Sequence, residues 1–189
     1  CSGASNTTVS NNRISAVGTT GTGIQLAGDS GSVFNVINNQ VAIIPTNTQT
    51  GAILGIHDDG ETGSACNVFH NSVFIGSTQA SNSDSRCVRR EGPTNHASRN
   101  NVFINQGSGA SGNRFAASNV SLGGSYQADY NLYVGSGITA ANFMEHRNAS
   151  NVPVAMGFDE WKTTMAGDSH SQAVGNSQVN VGNLFGNSS

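Results

Sequence analysis

Charged side chains are scarce in this sequence. Asp, Glu, Lys and Arg make up only 10% of its 189 residues, and Lys162 is the single lysine. The net charge is −3, and the only basic cluster contains Arg86, Arg89 and Arg90, with Arg99 nearby. Nucleic acids and anionic membrane surfaces bind proteins through an extended basic face, which this chain lacks. No apolar run approaches the roughly 20 residues of a membrane-spanning helix, so the sequence predicts neither nucleic-acid binding nor membrane insertion.

Cysteine is also rare, with three residues and no pair at the Cys-x-x-Cys spacing of many zinc sites. Cys66 and Cys87 lie in apolar, strand-like phrases, and two interpretations stay open: a disulfide between them, or two separate buried thiols, which we favour. Cys1, followed by Ser and Gly, resembles the lipidated first residue of a mature bacterial lipoprotein. We favour the alternative, that a fragment of a longer chain begins here.

The most prominent feature of the sequence is a motif that occurs five times. It consists of an Asn-rich step followed by alternating apolar residues. The first apolar residues of the five copies, at steps of 27, 32, 29 and 30 residues, are Ile14, Val41, Val73, Val102 and Leu132. A near-constant period of this size is typical of a solenoid, in which each repeat buries its apolar face only against its neighbours.

Each repeat contains short segments of alternating polarity separated by turns rich in Gly, Asn, Asp and Ser; the first full repeat has them at residues 23–26, 33–37 and 41–43. Such segments are typical of β-strands, and stacking coils about 4.8 Å apart pairs every strand with those above and below. We therefore predict an all-β fold, a parallel β-helix (solenoid) of about six coils. We expect it to be right-handed because parallel crossovers almost always are.

The pattern also predicts the interior of the stack. Alternation places the first apolar residues of the five phrases in one inward column, and a second column follows two residues later: Ala16, Ile43, Ile75, Ile104 and Val134. The Asn residues before them suit a tight corner, because Asn tolerates the left-handed region and bonds its own backbone. Stacked from coil to coil, their amides are expected to form a hydrogen-bonded ladder.

We interpret residues 1–189 as a single β-helix domain and as a segment of a longer chain, flanked by further coils or domains. Regular coils are predicted at about 10–135, a short helical or irregular excursion at about 138–175, and a return to strand at about 176–185. Within the excursion, residues 140–146 and 158–165 carry helix-compatible spacing.

Several phrases carry a resemblance to a known family: Ser98-Arg99-Asn100-Asn101-Val102-Phe103, Asp129-Tyr130-Asn131-Leu132-Tyr133, Phe158-Asp159-Glu160-Trp161 and Gly167-Asp168-Ser169-His170-Ser171. In this order they resemble the right-handed parallel β-helix repeat regions of large secreted bacterial proteins. Those include surface proteins exported by type IX secretion and some polysaccharide lyases and hydrolases. The resemblance covers most of residues 10–185 and implies a secreted or cell-surface location. It implies no single activity, because this scaffold carries lyases, adhesins and plain stalks.

The densest acidic group consists of Asp58, Asp59 and Glu61, three carboxylates within four residues. Hard cations require several oxygen ligands at one locus, so this turn is the candidate Ca²⁺ site. The alternative, which we favour, is an exposed polar turn between coils.

The candidate glycan-binding residues are Arg89, Arg90 and Trp161. Arginine grips sugar carboxylates through two parallel hydrogen bonds, and a tryptophan ring stacks on sugar rings. A solvated charge cluster, paired with Glu91 or Asp84, is the favoured alternative for the arginines.

Two further groups of residues are weaker candidates for catalysis. His70 and His96 lie near coil corners, where a structural role is favoured over that of a base. The run from Asp168 to Ser171 lacks the Gly-x-Ser-x-Gly elbow of serine hydrolases. We therefore name no catalytic residue.

The sequence thus favours a non-catalytic structural, adhesin or glycan-contacting segment, with a polysaccharide or other cell-surface ligand as partner and no required cofactor. The alternative is a Ca²⁺-dependent β-helix polysaccharide lyase or glycoside hydrolase that acts on an acidic glycan.

Overall fold

The computed structural model describes residues 5–17, 21–45, 51–76, 84–107, 112–135 and 143–175. Strands account for 57% of these residues, and one helix is present among them. The elements in chain order are β1 (Asn6–Ser10), β2 (Arg13–Val17), β3 (Gly21–Leu26), β4 (Val33–Ile37), β5 (Gln40–Ile44), β6 (Ile53–Asp58), β7 (Ala65–Phe69), β8 (Ser72–Ile75), β9 (Ser85–Arg90), β10 (Asn95–Arg99), β11 (Val102–Asn105), β12 (Arg114–Asn119), β13 (Ser125–Asp129), β14 (Leu132–Gly135), β15 (Met144–Arg147), β16 (Pro153–Met156), α1 (Phe158–Met165) and β17 (Gln172–Gly175).

The strands form three sheets that run along the stack. The first has the order β1-β4-β7-β10-β13, the second β2-β5-β8-β11-β14-β17, and the third β3-β6-β9-β12-β15-β16. Neighbouring strands are parallel except β15 and β16, which are antiparallel. The predicted parallel β-solenoid is therefore confirmed, with about four turns.

A ladder of asparagine side chains follows the corner between the first and second sheets. Oδ1 of Asn71 accepts hydrogen bonds from the backbone N–H and the Nδ2 of Asn39, at 2.9 and 3.0 Å. Asn101 accepts the same two bonds from Asn71, at 2.8 and 3.1 Å. Equivalent pairs join Asn12 to Asn39 and Asn101 to Asn131. The predicted amide ladder is confirmed, and its four inner members are at most 2% exposed.

The left-handed residue of each corner is the one immediately before the ladder asparagine. These residues have φ between 55° and 58°, and they are Asn11, Asn38, His70, Asn100 and Tyr130. A residue with a Cβ atom pays roughly 1–2 kcal/mol in this region, and Asn is the most tolerant of them. The backbone turn and the amide ladder are therefore made by two successive residues rather than by one.

The inward column of the second sheet differs from the prediction in the last two repeats. β11 places Phe103, not Val102, beside Val73, and β14 places Tyr133, not Leu132, beside Phe103. Phe103 and Tyr133 are both 0% exposed. The inward column is therefore Ile14, Val41, Val73, Phe103 and Tyr133.

The register of the second predicted column is wrong at the same two repeats, although Ile104 and Val134 are both buried. Asn105 and Gly135, rather than Ile104 and Val134, continue the line of Ile75. The inward position lies two residues after the ladder asparagine, whereas in these repeats an apolar residue follows the asparagine directly. Because side chains alternate with period 2, a shift of one residue moves each side chain to the opposite face.

Both central cysteines are buried free thiols. Cys66 and Cys87 are 0% exposed and form no disulfide. Burial raises the pKa of each thiol, so the reactive thiolate is disfavoured. The interpretation as two separate thiols is confirmed.

We expect neither thiol to react with Ellman's reagent while the protein is folded. A Cys1→Ser variant removes the third cysteine and isolates these two. Both should react within seconds after unfolding in guanidinium chloride. Labelling of the folded variant at the rate of a free thiol would contradict their placement in the core.

Residues 143–175 depart from the repeat. β15 extends the third sheet and β16 folds back on it, with Met144 opposite Met156. The segment Phe158–Met165 is helical, as predicted, and ends at Ala166, whose φ is 48°. Met144–Arg147 is a strand, so the helical interpretation is wrong there.

The chain then returns to the second sheet through β17. The return to strand predicted for residues 176–185 lies outside the described residues. In the part of the chain that the structure describes, no helix has the length and apolar character needed to cross a membrane.

Candidate functional site

The acidic turn after β6 divides its carboxylates between two environments. Asp58 ends the strand with its side chain in the interior at 0% exposure, whereas Asp59 and Glu61 in the following turn are exposed. The predicted Ca²⁺ ligands therefore do not present three carboxylates to one solvent-facing locus.

Asp58 is a buried hydrogen-bond acceptor. Its Oδ2 accepts the Thr94 hydroxyl at 2.6 Å and lies 2.7 Å from Nδ1 of His96, and the Cys66 thiol also bonds the carboxylate. Burial by itself raises the pKa of Asp58, but the hydrogen bonds from His96 and Thr94 outweigh it, and the net pKa lies below its ordinary value. His96 is thus a structural partner of Asp58, as the sequence favoured.

Arg90 lies inside the stacked turns rather than on the surface. Its Nη2 donates to the carbonyl oxygens of Thr94, at 2.6 Å, and Gly123, and its Nη1 donates to Oδ1 of Asn119 at 2.8 Å. The side chain is 3% exposed. Arg90 joins one turn to the next, and most of its hydrogen-bonding capacity serves the scaffold.

Arg89 and its neighbours form a charged row on the outside of the third sheet. Glu91 accepts a hydrogen bond from Nη2 of Arg89 at 3.0 Å, and Nε2 of His57 lies 3.0 Å from its other oxygen. On the same strand, Arg86 contacts Asp84 at 3.3 Å. The predicted pairing holds for Arg89 with Glu91 and for Arg86 with Asp84, but the cluster is not solvated throughout, because Arg86 and Arg90 are buried.

An open groove of about 560 Å³ lies beside this row. Its lining includes Ser30, Asp59, Glu61, Glu91 and Pro93. Ligand atoms of His57, Asp59 and Glu91 all lie within 4.8 Å of one another. One imidazole nitrogen and two carboxylates suit a transition metal better than Ca²⁺, which prefers oxygen ligands.

A second trio that geometry brings together is Asp58, Cys66 and His96, all buried. Its shared carboxylate already accepts hydrogen bonds from the protein and is satisfied without an ion, whereas Nε2 of His96 has no hydrogen-bond partner among the described residues.

Trp161 packs in the core rather than on the surface. Its side chain is 0% exposed, its Nε1 donates to Oδ2 of Asp168 at 2.8 Å, and its ring meets the Tyr126 ring edge-on at 5.6 Å. A fully buried ring has no face for a sugar to stack on, so the structure does not support Trp161 as a glycan platform.

Asp168 ends the asparagine ladder. Its Oδ1 accepts hydrogen bonds from the Tyr133 hydroxyl at 3.0 Å, the Ser171 hydroxyl at 2.6 Å and Nδ2 of Asn131 at 3.4 Å. The Ser171 oxygen accepts the backbone N–H of Asn131 at 2.8 Å. Asp168 and Ser171 thus accept the two hydrogen bonds from Asn131 that a further ladder asparagine would otherwise accept.

His170 does not complete a serine-hydrolase relay. Its Nδ1 lies 2.8 Å from Oδ2 of Asp129 and 3.1 Å from Oγ of Ser169. A relay needs the acid and the nucleophile on opposite ring nitrogens. The His170 ring stacks on Tyr130 at 4.7 Å, on the surface.

Sequence reasoning missed two residues of the interior network. Thr94 bridges Asp58 and Arg90, and Asp168 figures in the sequence analysis only in the resemblance and in the hydrolase-like run, with no structural role predicted for it. Neither belongs to an apolar or asparagine column, so periodicity gives no signal for them. The only local indication of a role for Thr94 was its position, as a polar residue immediately before a strand of the first sheet.

The comparisons with known proteins leave the family open. No family model matches the chain, no curated protein matches it, and no solved structure matches it.

Proposed function

We propose that this chain is a non-catalytic structural, adhesin or glycan-contacting segment of a secreted or cell-surface bacterial protein. One observation carries the proposal: Asp58 and Arg90, two of the charged side chains that lyase chemistry would use, are held by the scaffold itself. Asp58 is fully buried among its donors, and Arg90 bonds Thr94 in its own turn and Asn119 and Gly123 in the next. A catalytic acid or base needs access to the substrate, which Asp58 lacks, and four of the five N–H donors of Arg90 are already bonded to the protein.

The ion pair between Arg86 and Glu145 extends the same observation to the outer face of the third sheet. Nε and Nη2 of Arg86 donate to the two Glu145 oxygens at 2.6 and 2.8 Å, and the Ser118 hydroxyl donates to Glu145 at 2.6 Å. The guanidinium also lies over the Phe115 ring, 5.1 Å from its centre. Such bidentate, largely buried pairs fix register between coils more than they bind ligands.

Further details belong to the same proposal. The proposal includes a right-handed solenoid, which agrees with the strong preference of parallel crossovers, and it extends the roughly four observed turns to about six coils. The resemblance to β-helix regions of secreted bacterial proteins supports the surface location and a polysaccharide or similar surface ligand. The proposed role requires no cofactor.

The groove beside Glu91 favours one second candidate, a cation-dependent lyase or hydrolase. Asp59 and Glu91 would hold the cation there, with His57 as third ligand or base. Ca²⁺ or a transition metal would neutralise the uronate carboxylate of an acidic glycan. Glu91 is already bound to Arg89 and His57, which weighs against this candidate.

A depolymerisation assay on acidic and neutral polysaccharides, with and without Ca²⁺, separates the two. The readouts are ultraviolet absorbance from unsaturated products and release of reducing sugar. We expect no product above the buffer blank. Cation-dependent product that is lost in an Asp59→Ala/Glu91→Ala variant, and retained in an Asp159→Ala control on α1, would replace the proposal with the enzyme.

A further inference from the structure

A second cavity, of about 280 Å³, opens between the turn at residues 121–124 and helix α1. Its lining includes Arg90, Asn119, Ser121, Tyr126, His146 and Thr164, and no Asp or Glu lines it. In a chain with more acidic than basic residues, a cavity whose charged wall is purely basic favours an anion.

The Arg90 guanidinium supplies a permanent positive charge at the cavity wall. Its protein partners are neutral oxygens, and it is absent from the ion pairs formed among the described residues. The bonds to these partners engage Nε, both hydrogens of Nη2 and one hydrogen of Nη1, and a guanidinium has five N–H donors. Its nearest carboxylate, Asp58, is reached only through the Thr94 hydroxyl. A buried charge without a contacting counter-ion is costly, so an anion in the cavity would offset that cost.

His146 supplies the second polar group. Its Nδ1 is buried and has no hydrogen-bond partner among the described residues. Buried polar atoms usually have partners, and each exception calls for an explanation. Burial lowers the pKa of His146 and outweighs a hydrogen bond with the Asn119 backbone, which acts in the opposite direction; a bound carboxylate would favour the protonated ring.

The remaining walls suit a sugar better than an inorganic ion. Ser121, Thr164 and Asn119 offer hydroxyl and amide groups for sugar hydroxyls, and the Tyr126 ring gives an apolar wall. The volume lies near the lower end of ligand pockets, which run from roughly 300 to 1,000 Å³. One monosaccharide fills such a space, whereas a phosphate ion leaves most of it empty.

We propose that this cavity binds the carboxylate of a uronic-acid sugar, with Arg90 and His146 as its anion-binding groups. The proposal rests on the glycan-contacting role and names the sugar class that the segment would contact.

The experiment is calorimetric titration of the full chain with glucuronate and galacturonate. Glucose, galactose and inorganic phosphate are titrated in parallel. We expect the uronates to bind and the neutral sugars to bind at least about tenfold more weakly, because only the uronates carry the charge.

Two exposed neighbours on α1 provide a matched pair of variants. Thr164 lines the cavity, whereas Thr163 does not and instead donates to the Asp159 carbonyl. Thr164→Glu should weaken uronate binding about tenfold by placing a negative charge at the rim, and Thr163→Glu should change it less than about twofold. His146→Gln, which removes the ring but keeps an amide, should weaken binding at least about threefold.

Several results would overturn the proposal: no uronate binding, equal binding of neutral sugars, tighter binding of phosphate, or equal effects of the two Thr→Glu variants. Circular dichroism and thermal unfolding identify any variant that fails to fold. These outcomes differ from failure of the proposed function, which would appear as polysaccharide cleavage.

Discussion

Replacing Asn71 with alanine should lower the free energy of unfolding by about 3–5 kcal/mol. The Asn71 side chain donates to the carbonyls of Val36 and Phe69 and to Oδ1 of Asn101, and it accepts two bonds from Asn39. Alanine leaves those buried groups without partners, and each costs roughly 1–3 kcal/mol. Urea denaturation followed by circular dichroism gives the change.

Asn67→Ala is the matched control for this prediction. Asn67 is half-buried on the preceding strand, and its amide donates to Oδ1 of Asn35 at 3.0 Å. We expect a loss below about 1 kcal/mol, because water replaces the lost partner. Equal losses in the two variants would mean that the inner ladder has no special role in stability.

The second large effect is expected at Asp58. Asp58→Ala removes the acceptor shared by Thr94, His96 and Cys66, together with the nearest negative charge to Arg90. Breaking a buried charge network by removing one partner costs about 3–5 kcal/mol. The adjacent residue gives the control: Asp59→Ala alters an exposed carboxylate and should change stability by less than about 0.5 kcal/mol. A stable Asp58→Ala protein would contradict the interior role of this residue.

The same carboxylate predicts the direction of a pH dependence. The pKa of Asp58 in the folded state lies below its ordinary value of 3.8, as the pKa of Glu145 lies below 4.5. Burial opposes both shifts, and hydrogen bonds from His96 and from Arg86, respectively, outweigh it. A carboxylate whose pKa is lower in the folded than in the unfolded protein stabilises the folded state at pH values above the unfolded-state pKa. This stabilisation is lost as the pH falls through the folded-state pKa. Below the ordinary pKa values of Asp58 and Glu145, the free energy of unfolding should therefore fall more steeply with decreasing pH for the wild-type protein than for Asp58→Ala.

Periodicity was sufficient to predict the fold but not the register of every strand. The asparagine step and its spacing identify the solenoid because each coil meets the same packing requirement. Val102 and Leu132 are the first apolar residues of their repeats, but they do not point into the core. The core position is instead the second residue after the ladder asparagine in every repeat. Aligning the repeats on Asn101 and Asn131 would have placed Phe103 and Tyr133 in the core.

The roles of the candidate site residues were harder to predict than the fold. Asp58 and Asp59 are adjacent and chemically identical in the sequence, and only the end of β6 sends one inward and the other outward. Trp161 was expected to be a surface platform, but its partner Asp168 is placed by the end of the ladder, a contact that no local pattern encodes. The hydrogen bonds from Asn131 and Tyr133 that hold Asp168 in place are long-range and depend on the complete stack.

Hydrogen exchange of the asparagine side-chain amides, followed by ¹H–¹⁵N NMR, tests most directly the claim that the polar side chains of this chain serve its interior. The Nδ2 protons of Asn39, Asn71 and Asn101 should persist long after those of Asn67 have exchanged, because the bonded ladder amides are fully buried whereas the bonded Asn67 amide is only half-buried. Simultaneous, rapid exchange of all these amides in the folded protein would contradict the ladder and the account built on it.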